Sequence, residues 1–278
     1  MPTKKTIGFL GGGNLTEAII KGLLSSRKAA KGLLLASDCD SKRLAFLAER
    51  YEIKVLSKNY ELVGNSDIII LAVKPKDSIA ALIEIRSELT SAKLLISAVA
   101  GLCTEAITGI VGGGAKASPV IRAMPNTPAM VREAVTALYA AAGATKGHIK
   151  AAHYLFGAVG KVVLVQDESL MDAITGLSGS GPAYVFTFIE ALSEAGVSQG
   201  LPYDLAKALS VQTVLGAARL AKESDRDLSE LIRMVSSPGG TTIEGLKGLK
   251  LGGFSEAVAT AVASATKRAR ELSIKGDD

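Results

Sequence analysis

The sequence contains no tryptophan, only two cysteines, and few aromatic residues, which make up 4% of its 278 positions. Cys39 and Cys103 stand far apart, with no His or second Cys at ligand spacing, so neither a disulfide framework nor a metal site is suggested. Long hydrophobic runs are missing too. No continuous apolar stretch reaches the roughly 20 residues that a membrane-spanning helix requires, and Met1 to Thr6 lead into a strand pattern without a cleavable hydrophobic segment. The expectation is a soluble, reduced, cytoplasmic protein with no membrane partner. Charge of one sign does not dominate, since 32 Lys and Arg face 27 Asp and Glu, for a net charge of +5 scattered along the chain. No nucleic-acid partner is therefore expected. The one basic cluster, Lys267-Arg268-Ala269-Arg270, has the spacing of a solvated helix face.

With 48% hydrophobic residues and so few aromatics, the core must be built from Ala, Val, Ile and Leu, which suits tightly packed helices and a parallel sheet. The length accommodates two ordinary domains. From Thr6 to Val165, short β-branched runs alternate with helical patterns: Ile7–Leu10, Leu33–Ser37, Ile68–Val73, Leu94–Val99, Val120–Met124, Val135–Ala140 and Val162–Val165. This alternation predicts βαβ units around a mostly parallel sheet, an α/β Rossmann-type domain over residues 1–166. After Gln166 the strand signals stop, and residues 167–278 read as an all-α domain. Pro182 and Pro202 stand at helix starts, and Asp227 with Glu230 has the spacing of a reciprocal cap. Leu205 to Ala221 is apolar or small almost all round, more than a domain of this size can cover alone, so a subunit interface is expected there.

Thr6-Ile7-Gly8-Phe9-Leu10-Gly11-Gly12-Gly13-Asn14-Leu15-Thr16 reads as strand, glycine turn and helix start, the arrangement that binds a dinucleotide pyrophosphate. Gly11 permits the sharp turn and Gly13 lets the backbone approach the phosphates. Thr16 departs from the pattern, standing where Gly or Ala normally brings helix and strand close, and this predicts a helix set slightly further off. The second strand ends at Ala36-Ser37-Asp38-Cys39-Asp40. Asp38 either accepts hydrogen bonds from the adenosine ribose, which favours NAD, or caps the next helix, while Lys42 and Arg43 are placed to neutralise the 2′-phosphate of NADP. Ala72-Val73-Lys74-Pro75 leaves the most apolar strand at the sheet edge where such folds bind ligands, so Lys74 is aimed at the cofactor cleft, unless the turn is merely set by Pro75. Ser97 to Gly101 ends the next strand in small residues that would let a nicotinamide ring lie close.

Neither histidine looks suited to alcohol chemistry. His148 and His153 fall on a helix between strands, where exposed or packing roles are expected. Reduction of a C=N bond asks less, because an imine nitrogen is basic enough to arrive protonated. Val235-Ser236-Ser237-Pro238-Gly239-Gly240-Thr241-Thr242 precedes a helix and offers consecutive backbone N–H groups and hydroxyls to a carboxylate, or is a connecting loop with a Thr cap. Asp172 to Tyr184, dense in Gly and Ser around Pro182, reads mainly as an architectural corner, with lining of the cleft as the alternative.

Together these segments, with Arg122-Ala123-Met124-Pro125-Asn126-Thr127-Pro128 and Thr175-Gly176-Leu177-Ser178-Gly179-Ser180-Gly181-Pro182, make the chain resemble the pyrroline-5-carboxylate reductases over essentially its whole length. The resemblance implies an oxidoreductase of proline biosynthesis, a branch of amino-acid biosynthesis, which passes a hydride from NADPH or NADH to 1-pyrroline-5-carboxylate to give L-proline. It also implies helical C-terminal domains that pair into homodimers, assembled further into decamers. By similarity, Val235, Ser237 and the backbone of Gly239, Gly240 and Thr241 hold the substrate carboxylate, and the Thr242 hydroxyl bonds the ring nitrogen. On the cofactor side the resemblance points to Gly11, Gly12, Gly13, Asn14, Leu15, Asp38, Asn59, Ala72, Val73, Lys74, Pro75 and Ala100. Two other readings compete: a 3-hydroxyacid dehydrogenase using Lys207, Lys222 or Lys247, and a non-catalytic dinucleotide-sensing protein.

Overall fold

The computed structural model describes residues 3–112 and 117–273, which form two compact units. The first takes in the described residues of Met1–Gly179 and Ser264–Asp278, and the second is Ser180–Ala263.

The first unit is built on one sheet of eight strands: β1 Ile7–Leu10, β2 Leu34–Ser37, β3 Lys54–Leu56, β4 Ile68–Leu71, β5 Leu94–Ser97, β6 Val120–Met124, β7 Ala134–Ala140 and β8 Gly160–Val165. Their order across the sheet is β3-β2-β1-β4-β5-β6-β7-β8. All pairings are parallel except β6 with β7. The pleat sends alternate residues to opposite faces, and both faces are covered. Ile7, Phe9, Ile70 and Ile96 pack with Ile19, Leu23 and Phe156 on one side, while Leu10, Ile69, Leu71 and Leu95 pack with Leu62, Leu82 and Ile107 on the other. That explains why β4, Ile-Ile-Ile-Leu, has no polar alternation. Strand order reverses between β1 and β4, and the crevice at their carboxyl ends is where folds of this kind hold ligands.

The connecting helices are α1 Asn14–Ser25, α2 Ser41–Tyr51, α3 Asn59–Gly64, α4 Ser78–Ile85, α5 Thr104–Val111, α6 Lys146–Phe156 and α7 Leu170–Ile174. The strands expected from sequence are present, with β4 and β5 ending two residues early, at Leu71 and Ser97. Strand β3 was not anticipated, because a three-residue edge strand with an exposed first Lys carries no periodic signal.

The second unit holds α8 Gly181–Ser198, α9 Tyr203–Glu223, α10 Leu228–Met234, α11 Thr241–Leu251 and the start of α12 Phe254–Leu272. Pro182 lies in the first turn of α8, and Pro202 is the residue immediately before α9. Helices α8 and α9 approach closely where a Cβ on Gly196 would come 3.1 Å from that of Ala206. The reciprocal cap is present, with Asp227 accepting from the third residue of α10 and Glu230 reaching back to the Asp227 N–H. Within one chain α9 buries only Ala206 and Ser210, while Leu205, Leu209, Val211, Leu215 and Leu220 stay exposed. From Ser264 onward α12 belongs to the first unit, where Thr266 and Ala269 are buried.

Candidate active site

The turn after β1 is dictated by close approach. Gly11 has φ of +97°, and a Cβ there would stand 2.7 Å from the carbonyl oxygen of Ala72 on the neighbouring strand end, so only glycine fits. Gly13 has nothing within 4 Å of a would-be Cβ and immediately precedes α1, with no side chain capping the helix. The N-terminal N–H groups of α1 are thus left for a ligand, and open space lies beside the backbone where a pyrophosphate would sit. Thr16 is fully buried, and its hydroxyl donates to the Gly11 carbonyl oxygen at 2.5 Å, so the departure from the usual small residue ties helix and turn together.

Beyond the turn lies a charged corner. The Asp38 carboxylate accepts from the Gly12 N–H at 2.6 Å and from the Asp40 N–H at 2.8 Å. Burial pushes this carboxyl up, but the two N–H bonds and the nearby Arg43 charge outweigh it and hold it below the ordinary carboxylate range. Asp38 does not cap α2; Asp40 does, accepting from the Lys42 and Arg43 N–H groups. Arg43 folds over the turn, with Nε donating to the Gly12 carbonyl and Nη2 pairing with Glu17 at 2.5 Å. Asn59, at the start of α3, accepts from the Ser37 hydroxyl at 2.7 Å and donates to Glu84. Lys74 is exposed just past the end of β4.

A pocket of about 210 Å³ opens at the carboxyl ends of the strands. Asn14, Leu15, Ala98, Asn126, Met130 and Gly179 line it. Asn14, Leu15 and the segments holding Ala98 and Gly179 are read from sequence as cofactor- or cleft-side; Asn126 and Met130 are not, though the turn Pro125-Asn126-Thr127-Pro128 is the available signal. Asn126 clips the pocket's rim, accepting from the Val135 N–H and donating to the Ser178 carbonyl, both at 3.0 Å. A Cβ on Gly179 would come 2.7 Å from Met124, so the wall stays close because that residue has no side chain. The buried Arg122, on β6, anchors an ion cluster. Arg122 pairs with Glu168 at 3.1 Å and stands 3.5 Å from Asp172, and Glu168 also accepts from the N–H and hydroxyl of Thr104.

In the helical unit, residues 235–240 form the link from α10 to α11, and Thr241 and Thr242 open α11. Gly239 has φ of +73°, and Gly240 precedes α11 with no side chain capping the helix, so no Thr cap is present. The free N–H groups at the start of α11 and the hydroxyls of Ser237, Thr241 and Thr242 thus fall within six residues, across the loop and the first turn of the helix. Ser236 instead returns its hydroxyl to the Ile232 carbonyl. The histidines lie elsewhere: His148 makes a reciprocal cap with Thr145 at the start of α6, and His153 is exposed on the same helix. Among the described residues no cluster of His, Cys, Asp or Glu could hold a metal ion.

Fold, glycine turn and pocket define a Rossmann-type, nicotinamide-dependent oxidoreductase. The model for pyrroline-5-carboxylate reductase dimerisation matches residues 168–272, and that for NADP oxidoreductase, coenzyme F420-dependent, matches residues 6–101. A pyrroline-5-carboxylate reductase of Arabidopsis thaliana is 40% identical over 96% of this chain and 95% of its own length, and one of Methanosarcina acetivorans is 40% identical over 97% and 98%. Among solved structures, the reductase of Coxiella burnetii matches with a TM-score of 0.91 at 36% identity, covering 98% of this chain and all of that one. The pyrroline carboxylate reductase of Plasmodium falciparum, with NADP bound, matches at 0.88 and 31% identity over 99% of this chain. The chain belongs to the pyrroline-5-carboxylate reductase family.

Proposed function

We propose that this chain reduces the C=N bond of 1-pyrroline-5-carboxylate to L-proline, the closing step of proline biosynthesis. The observation that carries the reading is identity of about 40% to such reductases along nearly the whole chain, together with an uncapped helix start and hydroxyl-rich loop suited to one carboxylate. A bound nicotinamide dinucleotide, NADPH or NADH, supplies the hydride that becomes the new C–H bond at the imine carbon. The chain's own residues do the rest. Gly11 to Leu15 hold the pyrophosphate at the α1 N-terminus. Asp38, Asn59, Ala72 to Pro75 and Ala100 line the dinucleotide, and the strand-end pocket shelters its nicotinamide. Val235, Ser237, Gly239, Gly240 and Thr241 take the substrate carboxylate. The Thr242 hydroxyl bonds the ring nitrogen, which arrives protonated and takes up the C=N π electrons as its lone pair when the hydride adds to carbon.

Residues 1–166 form the cofactor domain in this reading and 167–278 the substrate and pairing domain. The working state is a homodimer or a decamer of such dimers, paired through the exposed apolar faces of the helical unit. No helix among the described residues is long and apolar enough to cross a membrane, which accords with a cytoplasmic location. The test is oxidation of NADPH or NADH, followed at the nicotinamide absorbance, on addition of pyrroline-5-carboxylate. Proline formation is expected; turnover of a 3-hydroxyacid, or tight nucleotide binding without turnover of any cyclic imine, would replace the reading with one of its rivals.

A further inference from the structure

Resting on the reductase reading, we infer that the corner of Asp38, Arg43 and Glu17 selects NADH over NADPH. The two coenzymes differ by one phosphate on the adenosine 2′-oxygen, and the end of β2 is where a Rossmann fold meets that oxygen. Asp38 stands there as an anion. Its Oδ2 accepts from the Gly12 N–H and its Oδ1 from the Asp40 N–H, so the turn fixes its position. Oδ1 also accepts from the Cys39 thiol at 3.6 Å, while Oδ2 keeps a lone pair to accept a ribose hydroxyl. A 2′-phosphate would instead bring a dianion against a fixed carboxylate, a repulsion that disfavours the wrong ligand.

The cation that would relieve this is already engaged. Arg43 is the guanidinium nearest the turn, and a sequence with Arg at this point reads as ready for a phosphate. In the structure it donates to the Gly12 and Gly13 carbonyls and pairs with Glu17, which Tyr51 holds from the other side at 2.8 Å. The Arg43 and Glu17 side chains are only 23% and 27% exposed, so the pair is partly shielded from solvent. Arg43 also lies 5.0 Å over the Phe46 ring. Swinging toward a 2′-phosphate would break all of these. Lys42, exposed and without an ion pair among the described residues, remains as a mobile surface charge of small worth.

Titration of the intact protein with each reduced nucleotide, read by fluorescence of the bound nicotinamide and by calorimetry, tests this without turnover. NADH is expected to bind at least about tenfold more tightly than NADPH. Asp38→Asn, which keeps size and removes the charge, is expected to tighten NADPH and weaken NADH, collapsing the ratio. Glu17→Gln, which frees Arg43, is expected to tighten NADPH while leaving NADH within about twofold. Equal affinities in the unaltered protein, or tighter NADPH, overturn the inference. So does an unchanged ratio in a folded Asp38→Asn protein. Binding of neither nucleotide would overturn the dinucleotide reading itself, and selectivity with it.

Discussion

The proposed reading gives Thr242, in the first turn of α11, a task that it gives no neighbouring side chain. In the proposed reading Ser237 and the Gly239–Thr241 backbone would meet a carboxylate that carries the same charge before and after reaction, and so would contribute binding equally to ground and transition states. The hydrogen bond at the ring nitrogen changes as the C=N bond is reduced. Thr242→Ala is therefore expected to lower kcat/KM by about 10- to 100-fold, roughly 1.4 to 2.7 kcal/mol, mainly in kcat. Steady-state kinetics against pyrroline-5-carboxylate check this, and an unchanged kcat would remove the residue from the chemistry. The Arg122 cluster acts on stability instead. Arg122 is 3% exposed; its Nη1 donates to Glu168, which also accepts from the Thr104 N–H, while its buried Nη2 makes no hydrogen bond among the described residues and lies 3.5 Å from Asp172. Glu168→Ala leaves a buried guanidinium with Asp172 alone, and an expected loss of about 2–4 kcal/mol is measurable by urea unfolding at fixed protein concentration. Residue-scale legibility was uneven. Gly11 could be read because a turn with positive φ leaves a glycine in the sequence. The commitment of Arg43 to Glu17 could not, since the partners lie on different helices and meet only after folding.

At the scale of elements, periodicity located most strands and the α8, α9 and α10 starts, because prolines and reciprocal caps are local chemistry. Strand ends were less legible. The Val73 and Val99 side chains look like continuations of β4 and β5, yet the chain leaves the sheet at Leu71 and Ser97, toward the ligand crevice. The antiparallel placing of β7 had no signature either, since alternation specifies a strand but not its direction. Helix α10 is short, seven residues from Leu228 to Met234, and sits directly before the segment proposed to hold the substrate. A helix of that length is marginal without its cap. Asp227→Ala is expected to cost about 1 kcal/mol of stability and to raise KM more than it lowers kcat, by loosening the start of Val235–Thr242. Thermal unfolding together with steady-state kinetics separate the two effects.

The whole molecule shows a contrast between its units. The sheet unit buries its large apolar side chains on both faces, whereas the helical unit leaves Phe186, Leu209, Leu215, Leu246 and Leu251 exposed. Large apolar side chains exposed along one unit mark an interaction surface. Sedimentation at micromolar concentration is expected to find dimers or larger assemblies, and Leu209→Glu with Leu215→Glu is expected to shift them toward monomer. A monomer before substitution would count against subunit pairing. The unusual run Leu205–Ala221 made this face visible in the sequence, but the strand-end pocket was not, because Asn14, Ala98, Asn126 and Gly179 are brought together by the sheet from four distant segments.

The return of α12 to the first unit has a topological consequence. Gly101 has φ of +74°, and a Cβ there would meet the Leu272 carbonyl at 2.6 Å; the Ser273 hydroxyl donates to Asp172 at 3.3 Å. The helical unit is thus threaded into the nucleotide-binding fold as an insertion with two covalent tethers, rather than hung from its end. A chain stopped after Ala263 would lose more than a tail. It would strip a buried edge from the sheet unit, so such a truncation is expected to lower that unit's own melting temperature, while a single proteolytic nick in the helical unit would leave its pieces still attached.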